Sequence, residues 1–371
     1  MDRRRFITQF GKLLPVAGAA LYLLSDKRNL IRADVEPFAE SERFYEPAET
    51  EILFLASLAP SGHNTQPWFV QYLEPFHWII GNDRSRWLPA VDPNQRETIL
   101  SIGAFLQNIE YAAGHFGYAC DWKLLAARNS DEKVVEVSLK KSAYAADFAI
   151  ETIRSRRTVR SNFANEAIRT NDLDDLLASD PEFFHYLPPD SDASRFINEQ
   201  TIEANRLQAY REPAQQELRD WIRFSNREAR KHRDGLTTGS MEIDGFAGWF
   251  VRNLYTHDNV LSEDFRERGL NKVSEQVSAH GGWILATSND ESVAGLLEAG
   301  RRMQRLFLRV RERSIAIHPM TQILEEPATC AILNQAVGIT ESVQFILRAG
   351  YVNDYPPPVS MRRPVGWFLR T

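Results

Sequence analysis

The ten residues Ala59-Pro60-Ser61-Gly62-His63-Asn64-Thr65-Gln66-Pro67-Trp68 concentrate small, polar and ring-constrained side chains. Two prolines stiffen such a joint, and the glycine lets a flat ligand approach the backbone closely. Ser61, Asn64 and Gln66 add donors and acceptors. A planar heterocycle with imide and carbonyl edges needs that combination. The apolar run 52–58 ahead reads as helix and Trp68–Tyr72 behind as strand. An ordinary helix-to-strand turn would use the same residues.

Two further motifs weigh against the ordinary turn. Arg156-Arg157-Thr158-Val159-Arg160, with Phe163 after it, is one; Ser360-Met361-Arg362-Arg363-Pro364-Val365 is the other. With the first turn they resemble the nitroreductase family, over roughly residues 45 to 371. That resemblance implies FMN as cofactor. It places Arg156, Arg157 and Thr158 on the phosphate and ribityl chain and Arg160 near the pyrimidine edge of the flavin. Arg362 and Arg363 match the C-terminal phosphate contacts. Pro60, Ser61, Asn64 and Gln66 would meet the ring or ribityl chain from the other side. Pro319, in the loop Ala316–Thr321, would help aim a backbone N–H at the reactive nitrogen. His63 stands at a variable position of the motif, and His318 is a candidate proton donor. No side chain is required as an essential acid or base, so no catalytic residue is expected.

These residues need two sets of elements to position them. Helices are expected over 46–58 and 96–117, the second with a stripe of Ile99, Ile102, Leu106, Ile109, Ala113 and Phe116. Strands are expected over 68–73, 77–81 and 134–139. Beyond the basic run, short helices end near Arg156 and begin at Leu173, and a long charged helical region spans 194–232. A buried strand follows at 281–287, then helices over 298–315 and 327–337 and a strand at 344–348. The expected class is α+β with a nitroreductase-like fold: a central, mostly antiparallel sheet flanked by helices, in two pseudo-repeated halves, 46–145 and 146–371. The first half carries the turn without the arginines and the second the arginines without the turn. One site between fused halves follows, as in the Acg-like branch of the family. In that branch an insertion, here about 197–260, covers the flavin as a lid.

The chain has 371 residues, 43% hydrophobic and 25% charged, with a net charge of −6. Such a chain can bury a large core, and its charge argues against a broad nucleic-acid footprint. Two cysteines, Cys120 and Cys330, leave pairing open. No metal-ligand spacing, G-x-G-x-x-G after a strand or G-x-S-x-G elbow appears. Arg3-Arg4-Arg5-Phe6-Ile7 resembles a twin-arginine export signal, with Leu13–Leu24 as a modest apolar run. Cleavage would fall near Ala17-Gly18-Ala19 or near Ala33, giving residues 1–33 as signal, a periplasmic or exported protein, and membrane contact only through that signal; a cytosolic amphipathic helix is the alternative. The monomer, an internal pseudo-dimer, needs no partner to complete its site, and a homodimer stays open. Two activities follow: a flavin-dependent oxidoreductase reducing nitroaromatics, quinones or other conjugated acceptors, or a protein that sequesters FMN beneath its lid.

Overall fold

The computed structural model describes residues 25–35, 46–143 and 148–370. Arg3-Arg4-Arg5, the run Leu13–Leu24 and the point at Ala17-Gly18-Ala19 lie outside those residues. Residues 25–35 pack onto the body. Leu30 and Val35 cluster with Ala229 and Met361, and the Arg32 amide donates to the Pro358 carbonyl at 2.8 Å. A cut near Ala33 would remove Leu30 from that cluster.

The first set of elements begins with α1 (Pro47–Ser57), opened by a proline whose missing N–H is not needed there. β1 (Trp68–Glu74) and β2 (His77–Asn82) form the expected hairpin. α2 (Arg96–His115) buries its apolar stripe and most of its other faces. β3 (Tyr118–Leu124) and β4 (Lys133–Lys141) complete the unit. β3 escaped the sequence reading because it is an edge strand whose middle, Cys120 to Lys123, is half-buried or exposed. The five-stranded sheet runs β11-β1-β2-β4-β3, antiparallel except where β11 (Leu369–Arg370), the last strand of the chain, lies parallel to β1.

The second set starts at α3 (Ile150–Ser155) and α4 (Thr170–Leu177), followed by β5 (Phe184–Leu187). The expected single helical stretch over 194–232 is broken into pieces. α5 (Asp192–Tyr210) stops at Arg211, and α6 (Glu212–Trp221) restarts with Pro213 in its first turn. Ile222–Arg223 (β6) then leaves the helix to pair with Leu236–Thr237 (β7), with α7 (Asn226–His232) between them. Pro213 cannot continue a helix, and a buried Ile222 is better satisfied by a strand partner. The aromatic cluster Phe246, Trp249 and Phe250 lies on α8 (Gly245–Leu254). α9 (Glu263–Val277) is capped by Ser262, whose Oγ accepts from the Phe265 amide.

β8 (Gly282–Ser288) is buried along its whole length. α10 (Val293–Glu312) is capped by Ser292 and ends before the expected limit, because Ile315 opens β9 (Ile315–Pro319). The segment before Pro319 is thus a strand, not the expected loop. α11 (Gln322–Glu325), α12 (Pro327–Val337) and β10 (Ser342–Tyr351) follow, and the four-stranded antiparallel sheet runs β5-β8-β10-β9. The architecture is α+β, with mostly antiparallel sheets flanked by helices.

α2 and α10 join the two sets. A methyl group at Gly103 would stand 2.1 Å from the Leu297 carbonyl oxygen, and one at Gly300 would stand 2.0 Å from that of Leu100. The contact is reciprocal: Leu100–Gly103 and Leu297–Gly300 carry the same spacing and touch through each other's backbone. The main core spreads from this crossing to Trp68, Trp78 and Phe105 on one side and Ile317 and Leu347 on the other.

Candidate functional site

The joint after α1 folds as a tight 3-10 turn over Gly62–Asn64. His63, Asn64 and Gln66 all have left-handed backbone, with φ of 47°, 54° and 54°. Each costs on the order of 1 kcal/mol or more, so surrounding bonds must hold them. The Gln66 amide donates to Ser61 Oγ at 2.9 Å. Asn64 Nδ2 donates to the carbonyls of Gly235 and Met361, both at 3.2 Å, and its Oδ1 accepts from Arg362 at 2.7 Å. Gln66 donates to the Arg233 carbonyl and accepts from the Arg363 amide, both at 2.9 Å. Asn64 and Gln66, expected to face a ligand, are instead spent on clamping the 233–235 and 361–363 segments to the turn. A fully buried amide needs such partners, and backbone groups supply them.

In front of the turn lies a cavity of about 360 Å³. Pro60, Ser61, Gly62 and His63 form one wall, Thr158, Arg160 and Pro319 another. The expected halves of the site therefore do meet. The cover comes from α5 and α6 through Gln208, Gln215 and Leu218 and from α9 through Phe265, Leu270 and Val273. It reaches past the expected 197–260 insertion to residue 273. The volume suits a ligand-sized occupant.

Arg156, Arg157, Arg362 and Arg363 are all buried, between 2% and 5% exposed. Arg157 is ion-paired: Nη2 meets Glu242 Oε1 at 2.5 Å. That carboxylate also accepts from the Arg160 amide at 3.0 Å and from Ser161 Oγ. Arg157 is therefore not free for a phosphate, contrary to expectation. Arg363 donates to the carbonyls of Gln66 and Trp68 and serves as a tie.

Arg156 and Arg362 differ. Arg156 Nη2 donates to the Leu58 carbonyl at 3.0 Å, and Arg362 Nη2 to those of Leu58 and Ala59 at 3.2 and 3.1 Å. Among the described residues neither has a carboxylate partner. Nε and Nη1 of Arg156 and Nε of Arg362 are buried with no hydrogen bond. Burial, then the nearby Arg32, pushes Arg156 down to about 10. Arg362 is lowered well below its ordinary value by burial and by Arg156. Two guanidiniums converging on one carbonyl without an anion are unfavourable. An anion between them would relieve this, and planar guanidinium forks suit phosphate oxygens.

Arg160 Nη1 donates to His318 Nε2 at 2.6 Å, and its Nε to the Ser240 carbonyl at 2.8 Å. Burial, then Arg160 and Arg348, holds His318 well below its ordinary value, so its neutral ring accepts. It orients Arg160 at the cavity wall and does not line the cavity itself. His63 does line it, neutral because burial and Arg160 lower it to about 4.

Sequence reasoning missed one pair. Glu97 on α2 and Glu325 on α11 both line the cavity and are bridged by Thr321 Oγ1, which lies 3.3 Å from Glu97 Oε1 and 3.1 Å from Glu325 Oε1. Burial, then Glu325, raises Glu97 from 4.5 to about 7, and burial raises Glu325. Between those pH values the unfolded chain has lost a proton that the folded protein keeps. This contribution to stability is full below pH 4.5 and lost as pH rises through 7. Glu97→Gln should flatten that decline; urea melts at several pH values read it, and an unchanged slope would refute the raised Glu97 carboxyl.

No protein-family model matches the chain. It is similar to PigM of Serratia sp. (strain ATCC 39006), named a probable NAD(P)H nitroreductase: 26% identical over 330 residues, covering 82% of this chain and 89% of that protein. It is similar to acg of Mycobacterium tuberculosis, which carries an NAD(P)H nitroreductase name: 23% identical over 326 residues, covering 84% and 92%. Among solved structures, the FMN-dependent nitroreductase NfnB of Mycobacterium smegmatis overlays at TM-score 0.35 with 16% identity, covering 55% of this chain and 87% of that one. An overlay that loose defines no residue correspondence.

Proposed function

We propose that this chain, a member of the nitroreductase-like superfamily at low identity, binds FMN in the cavity between the Pro60–His63 turn and Thr158–Arg160, and reduces small conjugated acceptors such as nitroaromatics or quinones. The observation that carries the reading is the cavity walled by Pro60–His63 on one side and by Thr158, Arg160 and Pro319 on the other. Arg156 and Arg362 are buried behind the turn, outside the cavity lining, with no carboxylate partner among the described residues. They would hold the phosphate where it reaches past the turn, and Arg160, held by His318, would place positive charge by the ring. Pro60 and Gly62 offer small surfaces for close approach of a flat ring. Bound FMN would supply the two-electron chemistry, and the protein's part is binding, orientation and charge. Burial raises both Glu97 and Glu325 at the cavity wall, so this pair holds a proton to higher pH than ordinary carboxylates do.

Sequestration of FMN is the second reading. The cavity sits near the small end of ligand sites. Asn64, Gln66 and Arg157 each bond to the covering segment, at Gly235, Arg233 and Glu242. Purified protein should be yellow. Anaerobic NAD(P)H should bleach it and a nitroarene restore the colour. Yellow protein that stays oxidised favours sequestration, and colourless protein that takes up no added FMN ends both readings.

A further inference from the structure

The outer face of α8 is apolar and open. Phe246 is 78% exposed, Phe250 40% and Leu254 45%. Phe246 stacks on Trp249 at 5.7 Å and lies 6.5 Å from Phe250. The spacing 246, 250, 254 sets these side chains along one stripe of the helix. Scattered exposed apolar residues are ordinary, but a contiguous aromatic stripe marks an interaction surface.

The N-terminal chain joins the body on this same helix. Trp249 Nε1 donates to Ser25 Oγ at 2.8 Å. The Asp26 amide donates to Asn253 Oδ1 at 2.9 Å, and Arg252 donates to the carbonyls of Asp26 and Lys27, both at 3.2 Å. Residue 24, the end of the apolar run Leu13–Leu24, is therefore covalently next to a residue bonded to α8. That run of residues is shorter than the roughly 20 that a spanning helix needs. It is bounded by Arg3, Arg4, Arg5 and Lys12 before it and Lys27 and Arg28 after it. Both of the latter are exposed, with Arg28 ion-paired to Asp34 at 2.8 Å. Among the described residues no helix is long and apolar enough to cross a membrane.

We propose that the Phe246–Phe250–Leu254 face of α8 is a docking surface for an anionic lipid bilayer, acting together with the apolar run that enters at Ser25. Aromatic rings settle at the headgroup boundary, and basic flanks favour anionic lipid. A short apolar run gives only marginal, reversible attachment, and a second apolar element at the same place makes it stable. The proposal does not depend on the flavin reading.

The test is flotation of the full chain with vesicles of phosphatidylcholine and phosphatidylglycerol in equal parts, and with phosphatidylcholine alone. The parent should float with the mixed vesicles and about tenfold less with the neutral ones. Phe246→Ser/Phe250→Ser/Leu254→Ser should float about tenfold less with the mixed vesicles, while keeping the parent's circular dichroism and melting midpoint. Phe246→Asp alone repeats the test at the most exposed position if the triple variant misfolds. A parent that stays at the bottom overturns the proposal, and sedimentation velocity then says whether a second copy covers the face. Variants that float like the parent also overturn it, because the run alone then accounts for binding.

Discussion

Arg156→Met protein should leave purification colourless and yet melt at a higher temperature than the FMN-free parent. The two halves of this result have one cause. Arg156 is buried with two unbonded nitrogens and no carboxylate partner among the described residues. Without an anion, its charge opposes folding, and a methionine of similar reach removes that opposition. Replacement of buried charge by apolar groups has stabilised other proteins by about 1–4 kcal/mol. With FMN the sign reverses. Each charge-assisted bond to phosphate contributes about 1.5–3 kcal/mol, or roughly a ten- to hundredfold change in affinity. Arg156→Met/Arg362→Met should therefore weaken FMN by about three orders of magnitude or more. Flavin fluorescence titration measures the affinity and calorimetry the apo stability. Parent-like FMN binding by the double variant would remove the phosphate site.

Gly103→Leu or Gly300→Leu should cost at least about 3 kcal/mol each, and the pair should fail to fold. Any side chain at these positions overlaps a backbone carbonyl of the facing helix, at 2.1 and 2.0 Å from the first carbon alone. Main chain in the middle of two buried 20-residue helices cannot step aside as a flexible side chain would. Because α2 belongs to one set of elements and α10 to the other, the damage should appear as loss of cooperative unfolding for both sheets together. Urea denaturation followed by tryptophan fluorescence and by circular dichroism tests this. Near-parental midpoints would show that the crossing is plastic.

Much of this was readable from residue types. The turn at 59–68 stood out because prolines, glycine and amides cluster there, and the cavity forms against its Pro60–His63 portion. The helix 96–115 announced itself by its stripe. Other features needed coordinates. Arginine motifs show where cations gather but not which of them have partners: Arg157 is paired by Glu242 from the covering segment, whereas Arg156 is not. Asn64 and Gln66 were legible as hydrogen-bonding residues, but their direction follows from left-handed backbone that non-glycine residues rarely adopt. Glu97 and Glu325 belong to no motif in the sequence, and only the meeting of α2 and α11 brings them to one cavity. The charged stretch 194–232 kept a helical periodicity through residues that pair as a strand instead, because tertiary pairing outweighs local propensity.

The parallel pairing of β11 with β1 couples Val70 to Leu369 and Gln71 to Arg370. Arg362 and Arg363, just before it, reach the carbonyls of Leu58, Ala59, Gln66 and Trp68. The opening hairpin thus waits, during ribosomal synthesis, for nearly three hundred residues before its neighbouring strand exists. Nascent chains should expose that sheet margin to chaperones throughout translation, and the clamp of Arg362 and Arg363 on the turn closes only once synthesis is nearly done.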